Sequence, residues 1–313
     1  MTADQRPRTT ADLLAALPPP WPRDDVPAPN GTLAVRRAAP VDAASAEPAL
    51  FIHGLGGSSL NWTDLMALLS DRVDGVAVDL PGFGWSPPPR DGDYSPRRTA
   101  ESMADLLAST WHGAPAHVFG NSMGGAVAVQ LAARRPELVR TLTLVSPALP
   151  KVGVRRTNVH LPVIATPGVG SSLMKRYLAI DPSKRAQATV DLCFADPTSV
   201  PLERMEQAVQ EVRRRDSLPY VVDSFLQSLR GLMATYLDRS AERPWKLAEA
   251  ITCPTLLVYG RRDKLVDPIH AHTKAFPDVR VVVLPHAGHV AQIEQPVLVA
   301  DAWRSLLANA VAR

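Results

Sequence analysis

Apolar runs of strand length, each without polar alternation and most followed by a segment of helical period, dominate the sequence from residue 49 onward. The runs "ALFIHG" (49–54), "GVAVDL" (75–80), "AHVFG" (116–120), "TLTLVS" (141–146), "TLLVYG" (255–260) and "VRVVVL" (279–284) alternate with helical patterns at 96–110, 123–134, 268–275 and 296–311. A strand apolar along its whole length suits burial on both faces, and such strands belong to parallel sheets covered by helices on either side. The expected fold class is therefore α/β, with a mostly parallel, doubly wound sheet. Asn30-Gly31 before "TLAVRRA" reads as a hairpin turn, so the sheet is expected to begin with antiparallel strands. With 313 residues, 46% of them apolar, the chain can bury a large core without disulfide staples.

From about residue 150 to 246 the strand rhythm stops, and helical segments such as "PLERMEQAVQEVRRR" and "VVDSFLQSLRGLMATYL" take its place. Because the strand pattern resumes at Thr255, the chain must return to the same core. The insertion is expected to fold over the sheet as a cap, dividing the chain into core (1–149), helical cap (150–246) and the rest of the core (247–313). Pro-rich stretches, "LPPPWPRDDVPAP" and "WSPPPRD", read as stiff loops.

Lys and Arg number 34 against 31 Asp and Glu, and the basic pairs are dispersed, which argues against a nucleic-acid partner. Arg213, Arg214 and Arg215 share their segment with acids and read as the solvated side of a helix. Cys193 and Cys253 lack metal spacing and read as buried thiols. No apolar run reaches membrane-spanning length, and the first residues lack a secretory core. The expectation is a cytoplasmic protein acting on a small molecule. The sequence carries no signature of oligomeric state.

"VFGNSMGGAV" (118–127) gathers the least bulky residues around one serine, at the junction of a strand-like run and an Ala/Val-rich helix. Gly costs backbone entropy and buries almost nothing, so a demand on backbone geometry is the reason to place it there. A GxSxG pattern between strand and helix makes a turn so tight that side chains at Gly120 and Gly124 would collide, and it lifts Ser122 clear of the sheet.

A serine hydroxyl attacks only when a base takes its proton, and the base needs a carboxylate to orient it. Of the eight histidines, His289 in "LPHAGHVAQIEQP" follows the last strand-like run beside Gly288, and His286 is its rival. His270 and His272, two apart in an expected helix, face different ways and make a poor metal pair. Among acids, Asp263 in "YGRRDKLVDP" follows a strand, while Asp267 directly before Pro268 reads as a helix N-cap. The order Ser122, Asp263, His289 suits a nucleophile, an orienting acid and a base. The oxyanion of acyl transfer needs preorganised donors. "FIHGLGGSS" places the Leu55 N–H where it could pair with that of Met123. A dinucleotide loop from Gly54 would require Gly at 59, where Ser59 stands, and no phosphate-binding GxxxxGK[ST] occurs.

Through "HGLGG", "DLPGFGWS", "GNSMGG", "YGRRDKLV" and "HAGH", in that order, the chain resembles the α/β-hydrolase superfamily with a helical cap, from about Gly31 to Ala310. The resemblance implies an α/β-hydrolase fold, catalytic Ser122, Asp263 and His289, an oxyanion hole of Leu55 and Met123, and no cofactor or metal. It implies nothing about the cap. A serine nucleophile sets the chain apart from the epoxide hydrolases and haloalkane dehalogenases, which use a carboxylate. "GNSMGG" is similar to the hydrolases that cleave carbon–carbon bonds of ring-fission products, but Val290 stands where those carry Trp. Hydrolysis of small to medium apolar esters leads. Carbon–carbon cleavage and a non-catalytic ligand-binding role are the alternatives. Leu173, Met174, Leu178, Phe194, Phe225, Leu229 and Met233 are candidate cap residues for the wall of the site.

Overall fold

The computed structural model describes residues 20–150, 160–267 and 273–311. Strands β1 (Arg23–Ala28), β2 (Gly31–Ala38), β3 (Glu47–Ile52), β4 (Val73–Val78), β5 (Ala116–Asn121), β6 (Val139–Val145), β7 (Thr255–Gly260) and β8 (Val279–Leu284) form one eight-stranded sheet. Its order is β1-β2-β4-β3-β5-β6-β7-β8. β1 and β2 pair antiparallel, as do β2 and β4, and every pairing from β4 to β8 is parallel.

Strands β3 to β7 are largely apolar because the middle of the sheet is covered on both faces, whereas edge strand β1 is mostly exposed and edge strand β8 leaves Val281 and Val283 exposed. In β3, Leu50 and Ile52 pack into one core with α2 (Pro96–Trp111) and α3 (Met123–Arg134). Ala49 and Phe51 point the other way, into a second core with α1 (Thr63–Leu69) and the C-terminal helix Pro296–Val311. The period of two in side-chain direction thus feeds two cores from one unbroken apolar run. Phe51 stacks on Phe119 at 4.5 Å between centroids and meets Trp62 at 5.5 Å.

The chain leaves β3 through α1 toward β4 and then crosses back through α2 to β5, which lies on the other side of β3. Connections from the carboxyl ends of β3 and β5 therefore diverge, and the topological switch point of the sheet lies between those ends. "HGLGG" follows β3 there, and Ser122 follows β5.

Between β6 and β7 the described residues carry helices α4 (His160–Ala165), α5 (Val169–Leu178), α6 (Pro182–Cys193), α7 (Leu202–Asp216), α8 (Val221–Leu237) and α9 (Pro244–Glu249). They reach loops at the carboxyl edge of the sheet: Ser224 of α8 lies 3.0 Å from the Tyr94 hydroxyl, and Arg214 of α7 donates to the Gly84 carbonyl at 2.6 Å.

Several local expectations are corrected. Residues 23–28, within the Pro-rich run read as loop, form β1, where Pro27 is tolerated because the strand lies at the sheet's edge. The hairpin turn is Pro29-Asn30, since Ala28 pairs with Gly31, which opens β2 at φ +135°. The Arg run is not a solvated face. Arg213 is exposed, but Arg214 stacks 4.3 Å over the Trp85 ring and Arg215 donates to the Gly56 carbonyl. Both cysteines are free and only partly buried; burial still pushes the thiols up, to about 12 for Cys193 and about 11 for Cys253. Of the helix expected over 268–275, residues 268–272 lie outside the described residues, with His270 and His272, and 273–275 form one 3-10 turn.

Candidate active site

Ser122 sits between the end of β5 and the start of α3 at φ 53°, ψ −116°. That conformation is costly for a residue with a Cβ and persists only where its surroundings over-determine it. Here the surroundings are the two flanking glycines. A Cβ on Gly120 would lie 2.5 Å from the Gly124 carbonyl oxygen, and one on Gly124 would lie 2.5 Å from the His53 carbonyl oxygen. The elbow is held from beneath by Ser122 N–H donating to Val145 O at 3.1 Å. Ser122 itself is part-exposed between buried neighbours.

Asp263 follows β7 and His289 lies in the loop after β8, next to β7 in the sheet. The structure brings them together. His289 Nδ1 is 3.0 Å from Asp263 Oδ2, and Asp263 Oδ1 accepts the backbone N–H groups of Leu265 (2.7 Å) and Val266 (2.9 Å). Burial pushes the Asp263 carboxyl up, but the charge and hydrogen bond of His289 and the two backbone donors outweigh it and hold the group below the ordinary range. His286 is exposed and does not join this pair. Asp267, partly buried, stands beyond the loop that Asp263 organises. The His289 carbonyl is tied to the elbow by Asn121 Nδ2, which donates to it at 3.1 Å and to Val145 O at 3.0 Å.

On the opposite side of Ser122 lies the loop after β3. A Cβ on Gly54 would come 3.0 Å from the Ser122 Cβ, tight enough that a larger residue there would press on the serine. His53 is fully buried. Leu80 N–H donates to its Nε2 at 2.9 Å, which leaves the proton on Nδ1 to be donated to the Gly54 carbonyl at 2.7 Å. Burial lowers the imidazole's affinity for a second proton. With the Gly54 C=O held by His53 and by Gly57 N–H (3.0 Å), peptide planarity directs the Leu55 N–H the opposite way. Met123 opens α3, where a first-turn N–H has no intrahelical acceptor and the helix dipole is positive.

Sequence reasoning passed over two carboxylates that brace these loops. Asp79, buried at the end of β4, accepts Ser59 N–H at 2.6 Å and Trp85 N–H at 2.9 Å. Glu294 accepts from Gly288 and Ala195. The only sequence signal for either is an acid in an apolar setting, "VAVDLP" and "VAQIEQP". Of the candidate wall residues, Met174 and Leu229 are buried within the inserted helices, Phe225 would touch a Cβ on Gly56 at 3.6 Å, and Phe194 backs onto Gly288. Among the described residues no group of three His, Cys, Asp or Glu could hold a metal ion, and no helix is long and apolar enough to cross a membrane.

The sequence profile of the alpha/beta hydrolase fold matches residues 48–296. The chain is 32% identical over 250 residues to the dihydrolipoyllysine-residue acetyltransferase component of the acetoin cleaving system of Cupriavidus necator, across 80% of this chain and 60% of that protein. It thus spans under two thirds of that relative's length. It is 28% identical to Lipase 1 of Psychrobacter immobilis, over 83% of this chain and 78% of the lipase. It is 27% identical to a 2-hydroxy-6-oxononadienedioate/2-hydroxy-6-oxononatrienedioate hydrolase of a Pseudomonas species, over 91% and 93%.

Proposed function

The chain belongs to the alpha/beta hydrolase fold family, and from that premise we propose that it is a serine hydrolase of carboxylic esters working through an acyl-enzyme. The observation that carries the reading is the strained Ser122 at an elbow walled by glycines, within one hydrogen-bonded frame with the His289–Asp263 pair.

In this reading the Ser122 Oγ attacks the ester carbonyl carbon while His289 Nε2 takes its proton, and Asp263 holds the Nδ1–H. The carbonyl oxygen becomes an anion held by the Leu55 and Met123 N–H groups. Collapse of the tetrahedral species expels the alkoxide, which leaves as an alcohol with the proton from His289. Water then attacks the acyl-serine, giving its proton to His289, and the second collapse returns that proton to Ser122 and releases the acid. No step requires a cofactor. The helices inserted between β6 and β7 act as the cap expected over 150–246, and Phe225 beside the oxyanion loop favours small to medium apolar acyl groups. Likeness to a lipase supports ester cleavage.

Likeness to the dienedioate hydrolase over 91% of the chain supports a second reading, carbon–carbon cleavage by the same nucleophile. One panel separates the two: p-nitrophenyl esters of rising chain length against a ring-fission dienone acid, with phosphonate labelling of Ser122. Ester turnover should fall about a thousandfold or more in Ser122→Ala, with the fold retained. Turnover within tenfold of the parent, or an unlabelled Ser122, overturns the proposal.

A further inference from the structure

The loop bearing His289 is stitched to the inserted helices, at the segment that ends α6 and follows it. His289 N–H donates to the Cys193 carbonyl at 2.7 Å. Glu294, five residues after His289, accepts Gly288 N–H on Oε2 at 2.5 Å and Ala195 N–H on Oε1 at 2.6 Å. One carboxylate therefore bridges the residue before His289 and the segment 191–195. The contact leaves no slack. A Cβ on Gly288 would lie 2.7 Å from Ala195 N and 2.8 Å from Phe194 C. The loop of the acid is tied to the same segment, because Lys264 Nζ donates to the Asp191 carbonyl.

A carboxylate with one oxygen on each of two backbone donors is a rigid fork, and charge-assisted bonds of this kind are short and strong. Burial and the nearby Asp263 charge raise the Glu294 carboxyl, and its backbone donors act against them. We propose that Glu294 is a positioning residue that makes segment 191–195 and the His289 loop one unit, so that seating of the cap sets where the imidazole stands. The inference rests on the serine-hydrolase reading above.

Glu294→Gln tests it with little change of shape. The amide presents an oxygen to one backbone N–H and an NH2 to the other, so one stitch opens. A displacement of about 1 Å at a catalytic group costs on the order of a hundredfold in rate. The expected result with the best p-nitrophenyl ester is a kcat lower by about ten- to a hundredfold, KM within about threefold, and a Tm within about 3 °C of the parent. Ala195→Pro, which follows an extended Phe194 and removes the Ala195 N–H from Glu294 while the Asp196 backbone donor stays, should lower kcat in the same way. The downfield proton resonance of the His289–Asp263 hydrogen bond should shift or broaden in both variants. If Ser122→Ala is inactive while both variants keep kcat within twofold, Glu294 does not position His289 and the inference fails. If kcat and Tm fall together and the resonance is unchanged, Glu294 is structural only, and the inference fails again. An active Ser122→Ala overturns the underlying reading instead.

Discussion

Asp263→Asn should abolish catalysis for a reason visible in the hydrogen bonds rather than through lost charge alone. In the parent, Oδ1 faces two N–H donors, from Leu265 and Val266, and Oδ2 faces His289 Nδ1. An asparagine cannot place its NH2 against two donors, so its oxygen stays on Leu265 and Val266 and its NH2 turns to His289. The NH2 then donates to Nδ1, and the imidazole must carry its proton on Nε2, the atom required to accept from Ser122. The base is locked in the wrong tautomer. The serine-protease precedent for this substitution is a loss of about ten-thousandfold in kcat, or about 5.5 kcal/mol at 1.36 kcal/mol per decade. Steady-state turnover of a p-nitrophenyl ester, with active sites counted by phosphonate titration, measures it. Asp267→Asn is the control and should stay within about threefold. The pH dependence of stability checks the same carboxyl. Its folded value lies below the unfolded 3.8, so its contribution is fully present above that pH and is lost as pH falls through the folded value. The Tm gap between parent and Asp263→Asn should hold from neutral pH to about 4 and close below it. Turnover above a tenth of the parent, or a gap that widens in acid, would refute the tautomer argument.

Gly124→Ala should be far worse than Gly92→Ala. The first forces a Cβ against the backbone carbonyls of Ile52 and His53 and should leave little folded or active protein by thermal melt and ester assay. The second, at φ +70° with nothing within 4 Å, should cost only about 1 kcal/mol in urea titration. On the proposed reading, in which the inserted helices close over Ser122, a short-chain phosphonate bound there should slow amide exchange over residues 160–235 more than in strands β3 to β7. Within that range the smallest change is expected at 191–195, already fastened to the His289 loop, and uniform protection would mark the insertion as a fixed wall.

Much of this protein is local in its sequence. Strands β3 to β7 were legible because a largely apolar run has one good solution, burial on both faces, and the structure puts Ala49 and Phe51 in one core and Leu50 and Ile52 in the other; β8 was legible as an apolar run but lies at the sheet's edge with Val281 and Val283 exposed. The Ser122 elbow was legible because Gly120 answers a clash with its near neighbour Gly124, while the clash that Gly124 avoids is with the distant Ile52 and His53 carbonyls at the end of β3. Edge strand β1 was not, since its "RDDVPA" has no clear apolar signature and gains order from pairing with β2 and from Val26 and Ala28 packing on the core. His289 was favoured over its rival His286 only by its place beside Gly288 in one short loop. Only the fold exposes His286 and buries His289 against Asp263, 26 positions away. The same holds for Arg215 on the Gly56 carbonyl across 159 positions, and for Glu294 on Ala195 across 99. Periodicity and local backbone sterics act between near neighbours, so the chain alone determined most of its elements and the place of the Ser122 elbow. Which buried charge meets which backbone dipole depends on how distant loops are brought together, and that only the tertiary structure decided.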